Sequence, residues 1–501
     1  MAKIKRNFTT NVVLNISIFR IIYLCSMFLG SFFFVEPIGH AIKYLCIIWA
    51  FILIYHYYIK PKRFTQILHI RWLILFLCAT LITIVIHIMD NFFLNLLLLL
   101  HAVICFFVLF GMHTERNKRR LRKEIYIVCA IILFATTLSM IASFAVLPLG
   151  ASEMKFLYST YKFVIYENRF TGIFINPNLL GFYGVLAIIS AHILNKDELY
   201  NNIGKAVRFP KWLLIISVVI NLIGIFMSDS NGSILLLTGY IIGIFIYKLF
   251  GGMPSLSIKK LLLRGVALIL VAVISLGLLL SVRSLVNDSA SYIINHSHQV
   301  IEKKPNTSPK PKPNTNIVTF AHENENLDSG RLALLEKAIV IFYNNPIIGV
   351  GKENIVLFGQ RLLDKGLKYS DLHNGYLTIL VSNGLVGFVL FIGFAVSIGR
   401  QSVKSLFLEK KNLKNSPFPC LFAFIFAYCI YSVVEKTMLW EHSFMVAIFW
   451  YMLGYLSYYV KKYDHMDDTF DLKSLTRVHK ENTNKNIDTE EIDVIDIPTD
   501  E

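Results

Sequence analysis

Residues 261–283 read LLLRGVALILVAVISLGLLLSVR, a run of 23 mostly apolar residues. An α-helix needs about 20 such residues to cross the hydrocarbon core of a bilayer, so this run predicts a transmembrane helix. A polar segment of about ninety residues, Ser284 to Leu372, follows it directly, and apolar sequence then resumes. The predicted plan of the chain is therefore a set of membrane helices interrupted by one large extramembrane insertion.

The rest of the chain is built largely from similar apolar runs. Hydrophobic residues make up 55% of the 501 and charged residues 16%, with a mean hydropathy of +0.57, whereas a soluble chain carries about 25% charged residues. We predict an all-α polytopic membrane protein with about twelve transmembrane helices. The tight connection at Asp90-Asn91 and the short run 211–228 leave eleven or thirteen spans open. The predicted spans are 12–34, 40–59, 72–90, 91–112, 124–147, 173–194, 211–228, 232–250, 261–283, 373–398, 417–435 and 441–460.

These spans divide the chain into four parts. Residues 1–283 hold helices 1 to 9, and residues 284–372 form a large extracytoplasmic loop with short helices. Residues 373–460 hold helices 10 to 12, and residues 461–501 form a polar, acidic tail that we expect to be disordered. A cleavable signal peptide is not expected, because the first apolar run is too long for one.

The distribution of lysine and arginine predicts the orientation in the membrane. With the amino terminus inside, the cytoplasmic segments up to residue 414 contain 26 Lys and Arg, and the short outer loops contain four. Cytoplasmic loops are enriched in these residues, so both termini are predicted to be cytoplasmic and the large loop extracytoplasmic. The net charge of +16 is thereby explained by topology and by contacts with anionic lipids rather than by nucleic-acid binding.

Within the large loop, only the second half has the pattern of folded structure. The segment 302–314 is rich in Lys and Pro and is expected to be extended or mobile. Residues 331–340 have helical spacing after a Ser329 cap, and Asn345-Pro346 should end that helix. A lone Gly-Val-Gly at 349–351 without a preceding strand does not predict a phosphate-binding loop.

The seven cysteines give no sign of a metal site or of a disulfide framework. All of them fall within predicted spans, and no Cys-x-x-Cys spacing or Cys/His cluster is present. Apolar packing is the expected role of each. The sequence predicts neither a metal nor a cofactor.

Five short motifs lie along the chain in this order: Arg169 to Gly181 (RFTGIFINPNLLG), Asp328 to Arg331 (DSGR), Asn345 to Gly351 (NPIIGVG), His373 to Leu377 (HNGYL) and Gly384 to Gly387 (GLVG). Together they resemble the O-antigen ligase and Wzy-type polysaccharide polymerase superfamily. The resemblance covers roughly residues 165–395 in motif order, and the twelve-span plan extends it. One departure is present in Ser228-Asp229-Ser230-Asn231-Gly232, because Asn231 stands where members of the superfamily often carry an arginine.

The resemblance implies a GT-C-like, metal-independent, inverting glycosyltransferase. It would join polyprenyl-diphosphate-linked oligosaccharide repeat units at the outer face of the bacterial cytoplasmic membrane. Its partners would be the lipid-linked glycan donor and acceptor, membrane lipids, and a chain-length regulator or a flippase. Such an enzyme must hold a diphosphate, which planar guanidinium groups do bidentately. It must also deprotonate an acceptor hydroxyl, which suits a histidine.

These requirements assign roles to individual residues. Arg331 and Arg169 are the candidates for diphosphate recognition and leaving-group stabilisation, with Asn231 as a further diphosphate contact. His373 is the candidate general base, so that His373 and Arg331 are the predicted catalytic pair. Asn178 and Asn374 are additional polar candidates.

Each of these residues also has a purely structural interpretation. Arg169 could anchor a helix end at lipid headgroups, and Arg331 could be a solvated residue on a helix face. His373 could lie in the first turn of a membrane helix that Asp371 or Asn374 caps. Residues 176–178 could only form a helix entrance, since proline is favoured in a first turn.

Three functions remain open on the sequence alone. The preferred function is a polymerase of O-antigen, capsule or exopolysaccharide. The second is a ligase of the same superfamily, which transfers finished glycan to a terminal acceptor. The third is a lipid-linked oligosaccharide flippase, although a flippase should concentrate charge along a central cavity within its spans.

Overall fold

The chain forms a bundle of long apolar helices with a small sheet at one end. The computed structural model describes residues 12–32, 35–61, 66–111, 118–149, 152–156, 159–166, 168–200, 208–252, 257–302, 331–363, 366–367, 372–408 and 415–461. The α-helices are α1 (Ile16–Leu29), α2 (Glu36–Ile54), α3 (Ile70–Ile86), α4 (Phe92–Val103), α5 (Lys118–Ala145), α6 (Pro177–Leu194), α7 (Lys211–Met227), α8 (Asn231–Phe250), α9 (Ile258–Glu302), α10 (Arg331–Asn344), α11 (Ile355–Leu362), α12 (Gly375–Leu408), α13 (Phe418–Tyr431) and α14 (Phe444–Lys461).

Most of these helices have the length or the composition of membrane helices. Among the described residues, seven helical segments are long and apolar enough to cross a membrane, and five further apolar helices are shorter, with 10–17 residues. They lie at the positions of the predicted spans, which supports the helical membrane architecture. The number of spans stays a prediction.

Contacts between helix ends define two ends of the bundle. At one end, Ile175 N donates to Ser31 O, and His87 lies 3.2 Å from the carbonyl oxygen of Gly349. At the opposite end, Arg122 pairs with Glu198 at 2.9 Å. We call the first the loop end and the second the basic end. Which of these two ends faces the cytoplasm stays a prediction.

The basic end also contains a buried ion pair. Arg20 Nη1 lies 3.4 Å from Glu124 Oε2, and both side chains are 1% exposed. Arg20 Nε donates to the carbonyl oxygen of Val108 at 2.8 Å. Because a charge in this position is costly unless it is paired and hydrogen-bonded, these bonds fix α1, α5 and the π-helical turn Ile104–Leu109 after α4 to one another.

The core is aromatic and centres on α14, which is buried along nearly its whole length. Trp450 is 0% exposed and lies 4.6 Å, ring centroid to centroid, from Phe106 and 5.8 Å from Phe394. By contrast, only 6% of the most apolar window of α9 is buried. The helix α9, which contains the apolar run 261–283, thus lies at the periphery of the bundle, where it packs on α8 and α7.

Close packing of α8 on α13 depends on small residues spaced four apart on both helices. A Cβ placed on Gly239 would lie 3.1 Å from the Cα of Ala427, and one placed on Gly243 would lie 2.6 Å from the Cα of Ala423. Gly-x-x-x-Gly against Ala-x-x-x-Ala lets two backbones approach, as in helix pairs within membranes. This contact fixes the start of α8 against the end of α13 at the loop end.

Three differences from the predicted elements concern the loop end. The helix predicted over 261–283 runs from Ile258 to Glu302, and of the segment 302–314 only Glu302 is described. The span predicted to begin at residue 173 begins as a helix at Pro177. The polar sequence before it forms an antiparallel sheet that the spans did not predict. Its strands, in the order β1-β2-β3, are β1 (Ser152–Phe156), β2 (Ser159–Tyr166) and β3 (Arg169–Gly172).

The described part of the large loop packs on the bundle through a break in α12. The predicted helix is present as α10 and ends at Asn344, just before Asn345-Pro346. Gly384, inside α12, has φ 62° and ψ −170°, which interrupts the helix. Leu385 N donates to Pro346 O at 2.7 Å and Gly351 N donates to Ser382 O at 2.9 Å. Two motifs noted in the sequence, at 345–351 and 384–387, are therefore in contact.

Candidate functional site

The candidate site is built around the turn Ser228 to Asn231, which joins α7 to α8 at the loop end and which we call the site turn. Ser230 caps α8, since its Oγ accepts from the backbone N of Ser233 at 3.2 Å. Asp229 has φ 48°, a left-handed conformation that is uncommon for a residue other than glycine. The turn therefore holds an exposed Asn231 beside a buried carboxylate.

The side chain of Arg169 holds the site turn in place. It is the first residue of β3, and its side chain is 9% exposed. Its Nε donates to the carbonyl oxygen of Ser228 at 3.0 Å, and its Nη2 donates to Asn178 Oδ1 at 2.5 Å. One guanidinium thus joins β3, the first turn of α6 and the site turn. Because both bonds lie in the guanidinium plane, they also fix its orientation.

The motif Asn176-Pro177-Asn178 has two structural roles. Asn176 is the N-cap of α6, with its Oδ1 accepting from Asn178 N at 2.7 Å, and Pro177 is the first helical residue. This is the helix entrance expected from proline in a first turn. Asn178 has the second role, because its side chain is the acceptor for Arg169.

His373 pairs with an acidic residue that the sequence did not indicate. Its Nδ1 lies 3.7 Å from Glu435 Oε2, and the two side chains are 39% and 11% exposed. His373 has φ 46°, so its backbone is also left-handed. The following Asn374 caps α12, with Oδ1 accepting from Leu377 N at 2.9 Å.

The histidine pair and the site turn are neighbours. A Cβ placed on Gly232, the residue after the site turn, would lie 3.6 Å from Glu435 Oε1 and 2.9 Å from Tyr431 Cε2. Gly375 N donates to Ser432 O at 2.7 Å, which holds the start of α12 against the end of α13. The base candidate and the Arg169-bound turn therefore share one region of the loop end.

A second guanidinium reaches the site turn from α9. Arg283 Nη1 donates to Asn231 Oδ1 at 2.7 Å and lies 3.3 Å from Asp229 Oδ1. The sequence reasoning missed Arg283 and Glu435, because neither is near a motif in the chain. The one available signal was position, since Arg283 ends the predicted span 261–283 and Glu435 ends the span 417–435.

Of the predicted site residues, the structure describes every side chain except that of Arg331. Arg169, Asn178, Asn231 and His373 are brought together at the loop end, whereas Asn374 serves α12 as a cap. Arg331 is the first residue of α10, and its side chain lies outside the described part of the structure, as do residues 328–330.

A cavity of about 200 Å³ with a mixed polar and apolar lining lies between α1, α2, α6 and the start of α14. Leu179, which follows Asn178, forms part of its wall, and so does Glu441, which pairs with Lys436 at 3.4 Å. Lys43 and His442 supply further polar groups to the lining. A cavity of this volume has room for several water molecules.

The comparison with known families covers four of the five motifs on which the resemblance rested. Residues 216–392 match the family model Wzy_C, described as O-antigen ligase. This stretch contains the site turn, Arg283 and His373, whereas Arg169 and Glu435 lie outside it. No curated protein matches the chain. With its apolar helices, the chain is a multi-pass membrane protein in which residues 216–392 match the O-antigen ligase family, and this match supports the resemblance to the O-antigen ligase and Wzy superfamily, whose members transfer glycans.

Proposed function

We propose that this protein is a polysaccharide polymerase that joins polyprenyl-diphosphate-linked oligosaccharide repeat units. The observation that carries the proposal is the meeting of two groups at the loop end. The Arg169-bound site turn offers cationic and amide donors, and the His373–Glu435 pair, 3.7 Å apart, offers a base with its own counter-charge. A transferase that uses a diphosphate leaving group needs both.

The donor diphosphate would bind at the site turn. Arg169 supplies positive charge in a poorly hydrated position, where electrostatic attraction is stronger than in water. Because Arg169 is nearly buried, its part is attraction and support of the turn more than direct contact. Exposed Asn231 offers an amide N–H to a phosphate oxygen, and Arg331 at the start of α10 is the further guanidinium that the sequence assigns to the leaving group.

His373 would act as the general base. It takes the proton of an acceptor sugar hydroxyl, whose oxygen attacks the anomeric carbon of the donor and forms the glycosidic bond. The bond between that carbon and the diphosphate oxygen breaks, and the electron pair leaves with the polyprenyl diphosphate. Attack opposite the leaving group inverts the anomeric configuration. Glu435 then faces an imidazolium, which its carboxylate stabilises.

The proposed setting is the bacterial cytoplasmic membrane. The basic end would face the cytoplasm, with both termini, and the loop end would face outward. The fold would be GT-C-like and the reaction independent of a metal ion. Membrane lipids, a flippase that delivers donor and a chain-length regulator are the proposed partners.

A ligase is the alternative, favoured by the description of the matching family as O-antigen ligase. Ligase and polymerase share the donor and differ in the acceptor, which is a terminal carrier in one and a second repeat unit in the other. The site residues described above would serve both reactions.

The decisive experiment uses the purified protein in detergent with polyprenyl-diphosphate-linked repeat units and no nucleotide sugar or metal. Products of the wild type, His373→Asn and the control His56→Ala are separated by size. Asparagine tolerates the left-handed backbone of residue 373 and removes the base, while His56 is exposed at the opposite end. A general base contributes about 10²- to 10⁴-fold to a rate, so His373→Asn should lose at least about 100-fold.

The product pattern separates the candidate functions. A ladder from wild type and His56→Ala that His373→Asn does not make supports the polymerase. A single addition that needs a separate acceptor supports the ligase. Movement of the lipid between leaflets of a vesicle without any transfer would contradict both and support a flippase.

A further inference from the structure

The fold places Arg283 at the candidate site, although no motif in the surrounding sequence indicates this. It lies on α9, which packs on α8 and α7, and its side chain is 20% exposed. Its two contacts, with Asn231 Oδ1 at 2.7 Å and Asp229 Oδ1 at 3.3 Å, both use Nη1. The carboxylate and the amide thus hold one corner of the guanidinium against the site turn.

The other edge of this guanidinium is available to a ligand. Arginine has five N–H donors in a fixed fork, and the Nε and Nη2 groups of Arg283 have no partner within the part of the chain that the structure describes. Two parallel donors on one edge match two oxygens of a phosphate. Because Asp229 and Asn231 already fix the plane, little rotamer entropy is lost when a phosphate binds.

A second polar group on the same face of α9, Asn287, also lacks a partner that a ligand could supply. Asn287 is one helical turn after Arg283, so the two side chains lie on one face. It is 5% exposed, and its Oδ1 has no hydrogen-bond partner among the described residues. A buried amide oxygen without a partner costs about 1–3 kcal/mol, and a ligand donor such as a sugar hydroxyl or a bridging water would satisfy it.

We propose that Arg283 is a diphosphate-binding residue and that it supplies, from α9, the guanidinium that position 231 lacks. The ligand is the diphosphate of the lipid-linked donor, so the inference rests on the proposed function. Arg169 and Arg283 contact the two ends of the site turn, one through the Ser228 carbonyl and one through Asn231. Asp229 orients Arg283 and offsets part of its charge when no ligand is bound.

The test measures binding of a polyprenyl diphosphate without any sugar to the full-length protein in detergent. The variants are Arg283→Ala, Arg283→Lys and the double variant Asn231→Arg/Arg283→Ala. Arg361→Ala is the matched control, because Arg361 is also at the loop end and pairs with an aspartate, Asp90, at 3.2 Å. Thermal melting of each variant reports the folded fraction.

Loss of Arg283 should weaken binding by about 10- to 100-fold, as expected for charged hydrogen bonds to a phosphate. Arg283→Lys should restore part of the loss, since lysine keeps the charge without the fork. Asn231→Arg in the Arg283→Ala background should restore most of it, and Arg361→Ala should bind like the wild type. Unchanged binding by Arg283→Ala, an equal loss in Arg361→Ala, or no restoration by Asn231→Arg would overturn the assignment.

The same measurements separate this inference from the proposed function. Arg283-dependent binding of the lipid diphosphate in a protein that transfers no glycan would leave the inference standing and reject the function. Normal glycan transfer with binding that does not depend on Arg283 would reject the inference alone.

Discussion

Three residues with left-handed backbones border the candidate site. Asn168, directly before Arg169, has φ 55°, Asp229 has φ 48° and His373 has φ 46°. For residues other than glycine this conformation costs of order 1 kcal/mol and persists only where the surroundings enforce it. It recurs beside Arg169, in the site turn and at the His373–Glu435 pair, where it sets the direction in which these side chains are presented.

Replacing Glu435 by glutamine should lower kcat by about 10- to 100-fold with little change in KM. The carboxylate would stabilise the imidazolium formed at His373, and a charged partner of this kind contributes about 1.5–3 kcal/mol. KM should hold because Glu435 has no proposed contact with the diphosphate. Steady-state kinetics of Glu435→Gln beside Asp90→Asn, whose carboxylate also lies at the loop end, check this. An equal effect of both substitutions on kcat would contradict it.

Local motifs led to some site residues and could not lead to others. Arg169 and His373 stand in short patterns of polar residues at helix entrances, which is a signal that one stretch of chain carries. Glu435 and Arg283 matter only because α13 ends, and α9 passes, beside those patterns. That proximity is set by helix packing, such as the Gly243–Ala423 approach, and no spacing within a single segment encodes it.

At the scale of the element, the break in α12 should tolerate no side chain. A Cβ on Gly384 would lie 2.3 Å from the Ile347 carbonyl oxygen, and the φ of 62° is unfavourable for alanine. Gly384→Ala should therefore destabilise the protein by about 2–4 kcal/mol. Gly399→Ala is the matched control in the same helix, because a Cβ there has nothing within 4 Å. Melting temperatures in detergent measure both, and equal values would refute the close contact.

Helices were easier to predict than the sheet. Apolar runs located the membrane helices, and Asn345-Pro346 correctly ended α10, since proline cannot continue a helix. The strands β1 to β3 were missed because a search for long apolar runs passes over short alternating segments. The run Tyr161 to Tyr166, rich in aromatic and β-branched residues and followed by Glu167-Asn168, was the signal for β2 and its turn.

At the scale of the whole molecule, the alternation of helices predicts which side each end occupies. A fluorescent protein fused after residue 461 should fluoresce, because the basic end and the carboxyl terminus are expected in the cytoplasm. Alkaline phosphatase fused after residue 292, beyond the bundle on α9, should be active outside. The reverse pattern at both positions would invert the proposed topology and place the candidate site in the cytoplasm.

The contact between the large loop and α12 limits how such proteins can be recombined. Residues 346–351 occupy the gap at Gly384, so the extramembrane segment supplies backbone partners that a broken transmembrane helix lacks. A hybrid that receives this loop from a relative but keeps its own helix would join two halves of one interface that did not evolve together. Exchange of acceptor preference between relatives should therefore require residues 331–387 to move as one cassette.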